Sequence, residues 1–224
     1  KIVRGGGAVG GIQLQYLRNF KLRAMSVTRA DERCIYVLQC LGGRIVDCET
    51  YGHFYDGTTT SYGLSVASSQ GIRVINGTHT GGRHGIALGG TFPVRDFLAS
   101  GTIVDNDDTS GMYCMDSHGN AEFCEWINCT VNNGAMLACV NSRVIGGVYR
   151  SAAFPKGALI FNPEVDSDYL DFIGVTALNY AGACAIGVGL SASGINDGRV
   201  NIDNVYAMAY RPDGGGYPAV MFIG

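Results

Sequence analysis

Residues 134–162 read GAMLACVNSRVIGGVYRSAAFPKGALIFN, and this stretch decides the fold. It begins with GAMLACV, a short apolar run that starts on a small residue, and it ends with a second run of the same kind, GALIFN. Between them lies RVIGGVY, in which apolar residues alternate and the chain then bends at a glycine. Each run has the length of one short strand. The stretch is therefore one period of a repeat that contains two kinds of strand.

The apolar run recurs along most of the chain. Its copies are YGLSVA, HGIALGG, SGMYCMD, GAMLACV, GALIFN, GACAIGVG and YPAVMFIG, with register positions at Leu64, Ile86, Met112, Met136, Leu159, Ile186 and Val220. Successive register positions are separated by 22, 26, 24, 23, 27 and 34 residues. A period of roughly 20–50 residues with two or more strands is typical of a solenoid or another repeat architecture.

The second unit is an alternating apolar segment that bends at a small or polar residue. Its corner residues are Asp47, Asn76, Asn128, Gly146, Gly174 and Asp203, with Ser100 as a less regular member. Asn, Asp and Gly suit the left-handed backbone of a tight bend. The two units alternate strictly between the first and the last of these corners, so both belong to the same coil.

Other repeat architectures fit less well. Helical periodicity is nearly absent, which argues against leucine-rich and ankyrin-type arrays, and hairpin signals for a propeller blade are missing. We therefore predict an all-β fold, a right-handed single-stranded parallel β-helix of about eight coils. Ile, Val, Leu, Cys and Met at inward positions would form continuous internal ladders.

The domain prediction is a single β-helix over residues 1–224, with residues 1–33 as an irregular N-terminal coil. The chain begins KIVRGGG, with neither an initiator Met nor a signal peptide. An open end of a β-helix leaves backbone groups unpaired. We therefore expect that the chain is part of a longer protein or that other chains cover its ends.

Composition excludes several classes of protein. The net charge is −3, which provides no basic field for nucleic acid or for an anionic membrane. No apolar run reaches the ~18–20 residues of a membrane span. The eight cysteines form no C-x-x-C pair, so a zinc ribbon or finger is not indicated. We expect buried free thiols and folding in a reducing compartment.

Candidate catalytic residues lie in neighbouring coils. Arg83 and His84 come directly before the strand HGIALGG, and Asp116 and His118 follow SGMYCMD. Superposing the two strands on their first glycines places Asp116 about 5 Å from Gly90 in the coil beneath. The same register places His84 roughly 20 Å from Asp116, which predicts that the two do not form a dyad.

Carboxylates offer further candidates. Asp105, Asp107 and Asp108 would lie near Arg83, and Glu122 near the corner that carries His118. A pair of carboxylates suits glycoside hydrolysis, whereas a base with a basic partner at an acidic sugar suits β-elimination. We predict no metal and no cofactor. Calcium bound by the three aspartates is kept as the alternative.

Aromatic residues could provide faces on which a sugar stacks. Tyr55, Tyr62 and Trp126 are the candidates for binding substrate. Aromatic residues also cap the corners of solenoids, so a structural role remains open for each of them.

The runs RHGIAL at residues 83–88 and DSHGNAEFCEWINCTV at residues 116–131 carry a resemblance to a known family. They resemble the pectate-lyase-like right-handed β-helix proteins of phage tails, the tailspikes and neck appendages, in which an R-H-G motif is followed one coil later by D-x-H-G. The resemblance covers about residues 60–150. It departs from the family where an Arg-Gly is expected, because this chain reads CVNSRVIGG with Arg143 displaced.

The resemblance implies a homotrimeric appendage of the virion tail, assembled in the host cytoplasm. Such a protein binds and often cleaves a host-surface polysaccharide or wall glycopolymer, as a glycoside hydrolase or a lyase. Arg83, His84, Asp116 and His118 carry over as site residues. The alternatives are a non-catalytic receptor-binding or structural segment of a virion fibre, and a cellular polysaccharide lyase or epimerase.

Overall fold

A computed structural model describes residues 11–28, 30, 32–52, 61–106, 112–152, 157–162, 169–180, 184–189, 199–210 and 219–223. Their strands form three parallel sheets of nine, eight and eight strands, which we call sheets A, B and C. The chain passes through A, B and C in turn, and each strand pairs with the equivalent strand of the neighbouring coils. The predicted all-β parallel solenoid is confirmed. No helix in the described part of the chain is long and apolar enough to span a membrane.

The strands follow in chain order. The first four coils contain β1 (Ile12–Gln15), β2 (Arg18–Arg23), β3 (Ser26–Thr28), β4 (Arg33–Leu38), β5 (Leu41–Val46), β6 (Glu49–Tyr51), β7 (Tyr62–Ala67), β8 (Gln70–Ile75), β9 (Thr78–Gly81), β10 (His84–Gly89), β11 (Leu98–Ser100) and β12 (Ile103–Asn106). The next two contain β13 (Met115–Glu122), β14 (Glu125–Ile127), β15 (Thr130–Val131), β16 (Ala135–Val140), β17 (Ser142–Ile145) and β18 (Val148–Ser151). The remaining strands are β19 (Leu159–Phe161), β20 (Tyr169–Ile173), β21 (Thr176–Asn179), β22 (Ile186–Gly189), β23 (Arg199–Asp203), β24 (Tyr206–Ala209) and β25 (Val220–Ile223).

The corners between sheets B and C have the predicted left-handed backbone. Positive φ angles occur at Asp47, Asn76, Asn128, Gly146 and Gly174. At the other two corners the left-handed residue is the next one along the chain, Gly101 in place of Ser100 and Asn204 in place of Asp203. This conformation lets the backbone ladder continue around the bend, since the amide of Asn76, for example, donates to the carbonyl of Ser100 at 2.8 Å.

The first coil is more regular than the sequence indicated. Residues 12–28, for which the sequence predicts part of an irregular coil, form three strands that pair in register with the second coil. Phe20, Leu22 and Val27 pack against the core. Leu17 and Met25 are exposed and lie between the strands. Because these two residues are apolar although they lie outside the strands, the alternation of apolar and polar residues within the strands is hard to recognise in the sequence.

The inward column of sheet A corrects two register positions. Ile86 pairs with Met115 rather than with Met112, and Met115 pairs with Ala135 rather than with Met136. Met115 and Ala135 are buried together with Ile86. The segment SGMYCMD contains several apolar residues at spacings of two, so the sequence alone does not determine which of them faces inward.

All eight cysteines are buried and free, as predicted. Six of them belong to the hydrophobic core, where they act as small apolar groups: Cys40, Cys48, Cys114, Cys124, Cys129 and Cys139. Burial raises the pKa of the Cys129 thiol to about 11 and that of Cys139 to about 12. The thiols of Cys129 and Cys139 are therefore protonated at neutral pH and unreactive in the folded chain.

We expect Gly146→Ala to lower the free energy of unfolding by about 1–2 kcal/mol, because a residue with a Cβ is strained in the left-handed region. Gly146 has a φ of 61°, and an added Cβ would also meet Oδ1 of Asn128. Gly89→Ala is the control, since φ is not positive there and the added Cβ meets only Cβ of His118, at 3.8 Å. Urea unfolding measures both variants. Equal stability of the two would contradict this account of the corner.

We expect the stability of the chain to decline as the pH falls from 6.5 to 4, partly through His79. Burial lowers the pKa of this side chain from 6.5 to about 4, so the unfolded state binds more protons between those values. The contribution is complete above pH 6.5, and its loss amounts to about 3 kcal/mol. Urea unfolding across this range should show a shallower pH dependence in His79→Asn than in the wild type. Identical slopes would exclude His79 as the cause.

Candidate functional site

A groove lies on the outer face of sheet A, across strands β4, β7, β10 and β13. Its volume is about 200 Å³. The residues that line it are Arg33, Tyr36, Tyr62, Ser65, Ala67, Ala87, Leu88, Gly89, Gly90 and His118. We call it the sheet-A groove. Outward positions of successive coils, such as Ser65 and Ala87, lie directly above one another because the strands pair in parallel register.

The register in this region brings His84 and Asp116 together. Asp116 pairs with Ala87, not with Gly90, and its Oδ2 lies 3.4 Å from Nε2 of His84. The predicted separation of roughly 20 Å is therefore wrong. The error lies in the register, because the prediction superposed the two strands on Gly85 and Gly111. Cys114, not Gly111, occupies the level of Gly85, whose amide donates to the Cys114 carbonyl at 2.7 Å.

Three side chains form a cluster, which we call the His–Asp–His cluster: His84, Asp116 and His118. Nε2 of His118 contacts the same Oδ2 of Asp116 that faces His84. One ligand atom from each of the three lies within 4.8 Å of the others. The side chains of His84 and Asp116 are 3% and 1% exposed, whereas that of His118 is 50% exposed. A molecule bound in the sheet-A groove can therefore reach the cluster through His118.

The protonation of His84 follows from its surroundings. Nδ1 lies 2.6 Å from the carbonyl oxygen of Tyr113, and a carbonyl only accepts, so we assign the proton to Nδ1. Burial lowers the pKa of His84, against the opposing effect of the Asp116 carboxylate. The neutral ring therefore points an Nε2 lone pair at Asp116. Neither this Nε2 nor Oδ1 of Asp116 has a hydrogen-bond partner among the described residues.

The position next to His84 accepts only glycine, because no larger residue fits at Gly85. A Cβ at this position would lie 2.5 Å from the carbonyl oxygen of Asp105 and would also meet the carbonyl of His79. Sheet C thus passes directly behind the start of β10, and its backbone cannot move aside cheaply. The glycine of the R-H-G motif is explained by this close approach.

Aromatic and guanidinium groups surround one end of the groove. The ring of Tyr62 lies 5.2 Å from that of His84, and the guanidinium of Arg83 lies 6.0 Å from the Tyr62 ring. Arg33 stacks over Tyr36 at 4.5 Å and also contacts Glu32 at 3.1 Å. The sequence predicted Arg83 and Tyr62 in this region but not Arg33 or Tyr36. No sequence pattern singles them out, because they join this region only through the pairing of Arg33 with Tyr62 and of Tyr36 with Ser65 between coils.

Two predicted carboxylates lie away from the cluster. Asp105 accepts hydrogen bonds from the side chain of Asn132 at 3.1 Å and from the amide of Asn106 at 2.8 Å. Glu122 forms a bidentate pair with Arg95, at 2.9 and 3.3 Å. Asp107, Asp108 and Tyr55 lie outside the described residues. The calcium alternative therefore stays a prediction.

Trp126 does not offer a face for sugar stacking. It is 0% exposed and packs in the core against Phe97, with ring centroids 6.2 Å apart. The expectation that it binds substrate is therefore wrong. In EWINCTV the tryptophan occupies the inward position of β14, where its large apolar surface fills the coil.

Comparison with known proteins identifies relatives of the fold. The family described as Gp49, pectin lyase-like matches residues 34–192. The tailspike gp49 of Pseudomonas phage LKA1 is 18% identical, with a TM-score of 0.59 over 88% of this chain and 46% of its own. The tailspike gp61 of Pseudomonas phage phi297 is 19% identical, with a TM-score of 0.70 over 87% of this chain and 36% of its own.

A third solved structure is the gp54 tailspike of Acinetobacter baumannii bacteriophage AP22, in complex with A. baumannii capsular saccharide. It is 15% identical, with a TM-score of 0.62 over 87% of this chain and 41% of its own. This chain thus spans less than half the length of each of these tailspikes. No curated protein matches it in sequence.

The burial of Trp126 can be tested by fluorescence, since it is the single tryptophan of the chain. We expect blue-shifted emission that iodide quenches weakly, because the indole has no contact with solvent. The urea-unfolded chain is the control, in which iodide should quench the emission strongly. Equal quenching of the folded and unfolded chains would show that the tryptophan is accessible after all.

Proposed function

The chain belongs to the Gp49 pectin lyase-like family, and on this premise we propose that it is a tailspike-like virion protein that binds and cleaves a host-surface polysaccharide. Binding would take place in the sheet-A groove, and cleavage at His118. The three solved relatives are phage tailspikes, and one of them holds a capsular saccharide, which supports the choice of ligand class. The same assignment predicts a homotrimer on the virion tail.

One observation carries the proposal: a half-exposed imidazole at the groove is backed by a buried carboxylate. His118 lines the groove, and its Nε2 faces Oδ2 of Asp116. A carboxylate in this position fixes the tautomer and orientation of an imidazole and stabilises the imidazolium that forms when the ring takes a proton. Nδ1 of His118 would then exchange the proton with the sugar. Asp116 and His84 act as positioning residues.

The chemistry that fits these groups best is β-elimination at an acidic sugar. His118 would take the proton from the carbon next to the sugar carboxylate. The released electron pair would form a carbon–carbon double bond while the bond from the next ring carbon, β to the carboxylate, to the glycosidic oxygen breaks, and the leaving oxygen would take up a proton from the His118 imidazolium or from water. The guanidinium groups of Arg33 and Arg83 lie at the same end of the groove and would stabilise the negative charge on the sugar.

Hydrolysis fits less well, because glycoside hydrolases usually use two carboxylates. The described cluster contains one, Asp116. Asp105 and Glu122 are hydrogen-bonded elsewhere, to Asn132 and Arg95. The arrangement of the described residues therefore supports a lyase rather than a hydrolase.

We expect His118→Ala and Asp116→Asn to reduce cleavage by ~100-fold or more, since both remove positioned proton transfer. Glu122→Gln is the control, because this carboxylate is engaged by Arg95 away from the groove. The chain is incubated with purified uronate-containing capsular polysaccharides, and unsaturated ends are followed by ultraviolet absorbance.

Reducing ends without unsaturation would contradict elimination in favour of hydrolysis. Saccharide binding without any cleavage would support a non-catalytic receptor-binding segment. Equal activity in all three variants would show that the site lies elsewhere.

A further inference from the structure

We propose that the His–Asp–His cluster is a binding site for a divalent transition-metal ion such as Zn²⁺. The inference uses the side chains to which the proposed function assigns proton transfer, but it stands on their geometry alone. Metal binding and proton transfer by His118 would exclude each other. The cluster would thus be a point at which a metal ion inhibits the chain.

The spacing of the donor atoms fits one ion. Zinc binds imidazole nitrogen and carboxylate oxygen at about 2.0–2.2 Å, so two ligands of the same ion lie roughly 3–3.5 Å apart. Nε2 of His84 and Oδ2 of Asp116 are 3.4 Å apart, and the corresponding atom of His118 lies within the 4.8 Å limit of the group. Nε2 of His118 contacts Oδ2 of Asp116 directly and would have to move apart from it when the ion enters, which its half-exposed ring allows. No other group of three such donors occurs in the part of the chain that the structure describes.

Two acceptor atoms face each other inside the cluster, and this arrangement calls for a positive charge between them. His84 Nδ1 donates to the Tyr113 carbonyl at 2.6 Å, which leaves an Nε2 lone pair directed at Oδ2 of Asp116. Both groups are almost fully buried, and the Nε2 has no hydrogen-bond partner among the described residues. Metal-binding histidines commonly donate their second ring nitrogen to a backbone carbonyl in this way.

The donor set selects the kind of ion. Imidazole suits Zn²⁺ and other first-row transition metals, whereas Ca²⁺ takes six to eight oxygen ligands. Two histidines and one aspartate leave at least one coordination position open. The exposed side of His118 places that open position towards the groove.

The ion would block the proposed cleavage by changing the tautomer of His118. With the metal on Nε2, the proton of the neutral ring must sit on Nδ1. That nitrogen could then no longer accept a proton from the sugar. Micromolar Zn²⁺ should therefore slow cleavage, and a chelator should restore it.

Titration calorimetry of the chain with zinc chloride tests the site directly. We expect one ion per chain in the wild type and in Glu122→Gln. Affinity should be weaker by ~10-fold or more in His118→Ala and in Asp116→Asn, since even outer-shell changes typically cost 10–100-fold. Calcium chloride should show no binding at this site. Circular dichroism checks that the variants are folded.

Co²⁺ separates this site from the eight cysteines, because thiolate ligation gives a strong charge-transfer band in the near ultraviolet. We expect a visible spectrum without that band. A thiolate band, the absence of stoichiometric Zn²⁺ binding, or equal affinity in the wild type and both cluster variants would overturn the metal site. Loss of cleavage on chelation would overturn the inhibitory role.

The two proposals can fail separately. Zinc binding at the cluster in a chain that cleaves no polysaccharide would leave the metal site standing without the lyase. Cleavage that depends on His118, in a chain that binds no zinc, would do the reverse.

Discussion

The hydrogen bonds between successive coils are the constraint on which the rest of the structure depends. Each inner strand pairs its backbone with the coils above and below it, and each strand at an end of a sheet pairs with one coil, so outward side chains stand over their counterparts one coil away. The left-handed corner residues keep this ladder continuous around the bends, because their amides still meet a carbonyl of the next coil. A solenoid of this kind therefore assembles a site from residues that are far apart in sequence.

The sheet-A groove is such a site. Arg33, Tyr62 and His84 occupy the same position in three successive coils, and Asp116 enters from a fourth. The three side chains of the cluster differ in exposure, since Asp116 and His84 are buried and His118 is half exposed at the groove. In the two proposals, the buried carboxylate of Asp116 orients the imidazole of His118, and the lone pairs of Asp116 and of His84 Nε2 are available to a metal ion. The proposed proton transfer and the proposed metal binding thus depend on the same three side chains.

Much of the fold could be predicted, because the features that specify it are local. Asn, Asp or Gly at a corner indicates the bend in the sequence, and five of the predicted corners have the left-handed backbone. Free buried cysteines were predicted from the absence of C-x-x-C pairs and from the apolar composition of the chain, and all eight are buried and free. Trp126 shows where such inference ends, because alternation tells which residues share a face but a short strand leaves the choice of face open.

The sequence by itself determined the architecture, the corners and the residue types of the site, with Arg83, His84, Asp116 and His118 in adjacent coils. Only the tertiary structure decided how they meet. A shift of three residues in the pairing of β10 with β13 turns a separation of roughly 20 Å into a direct contact between His84 and Asp116. That register depends on Met115 filling the inward position and on Cys114 pairing with Gly85, which is a matter of packing between coils. No pattern within one coil contains it.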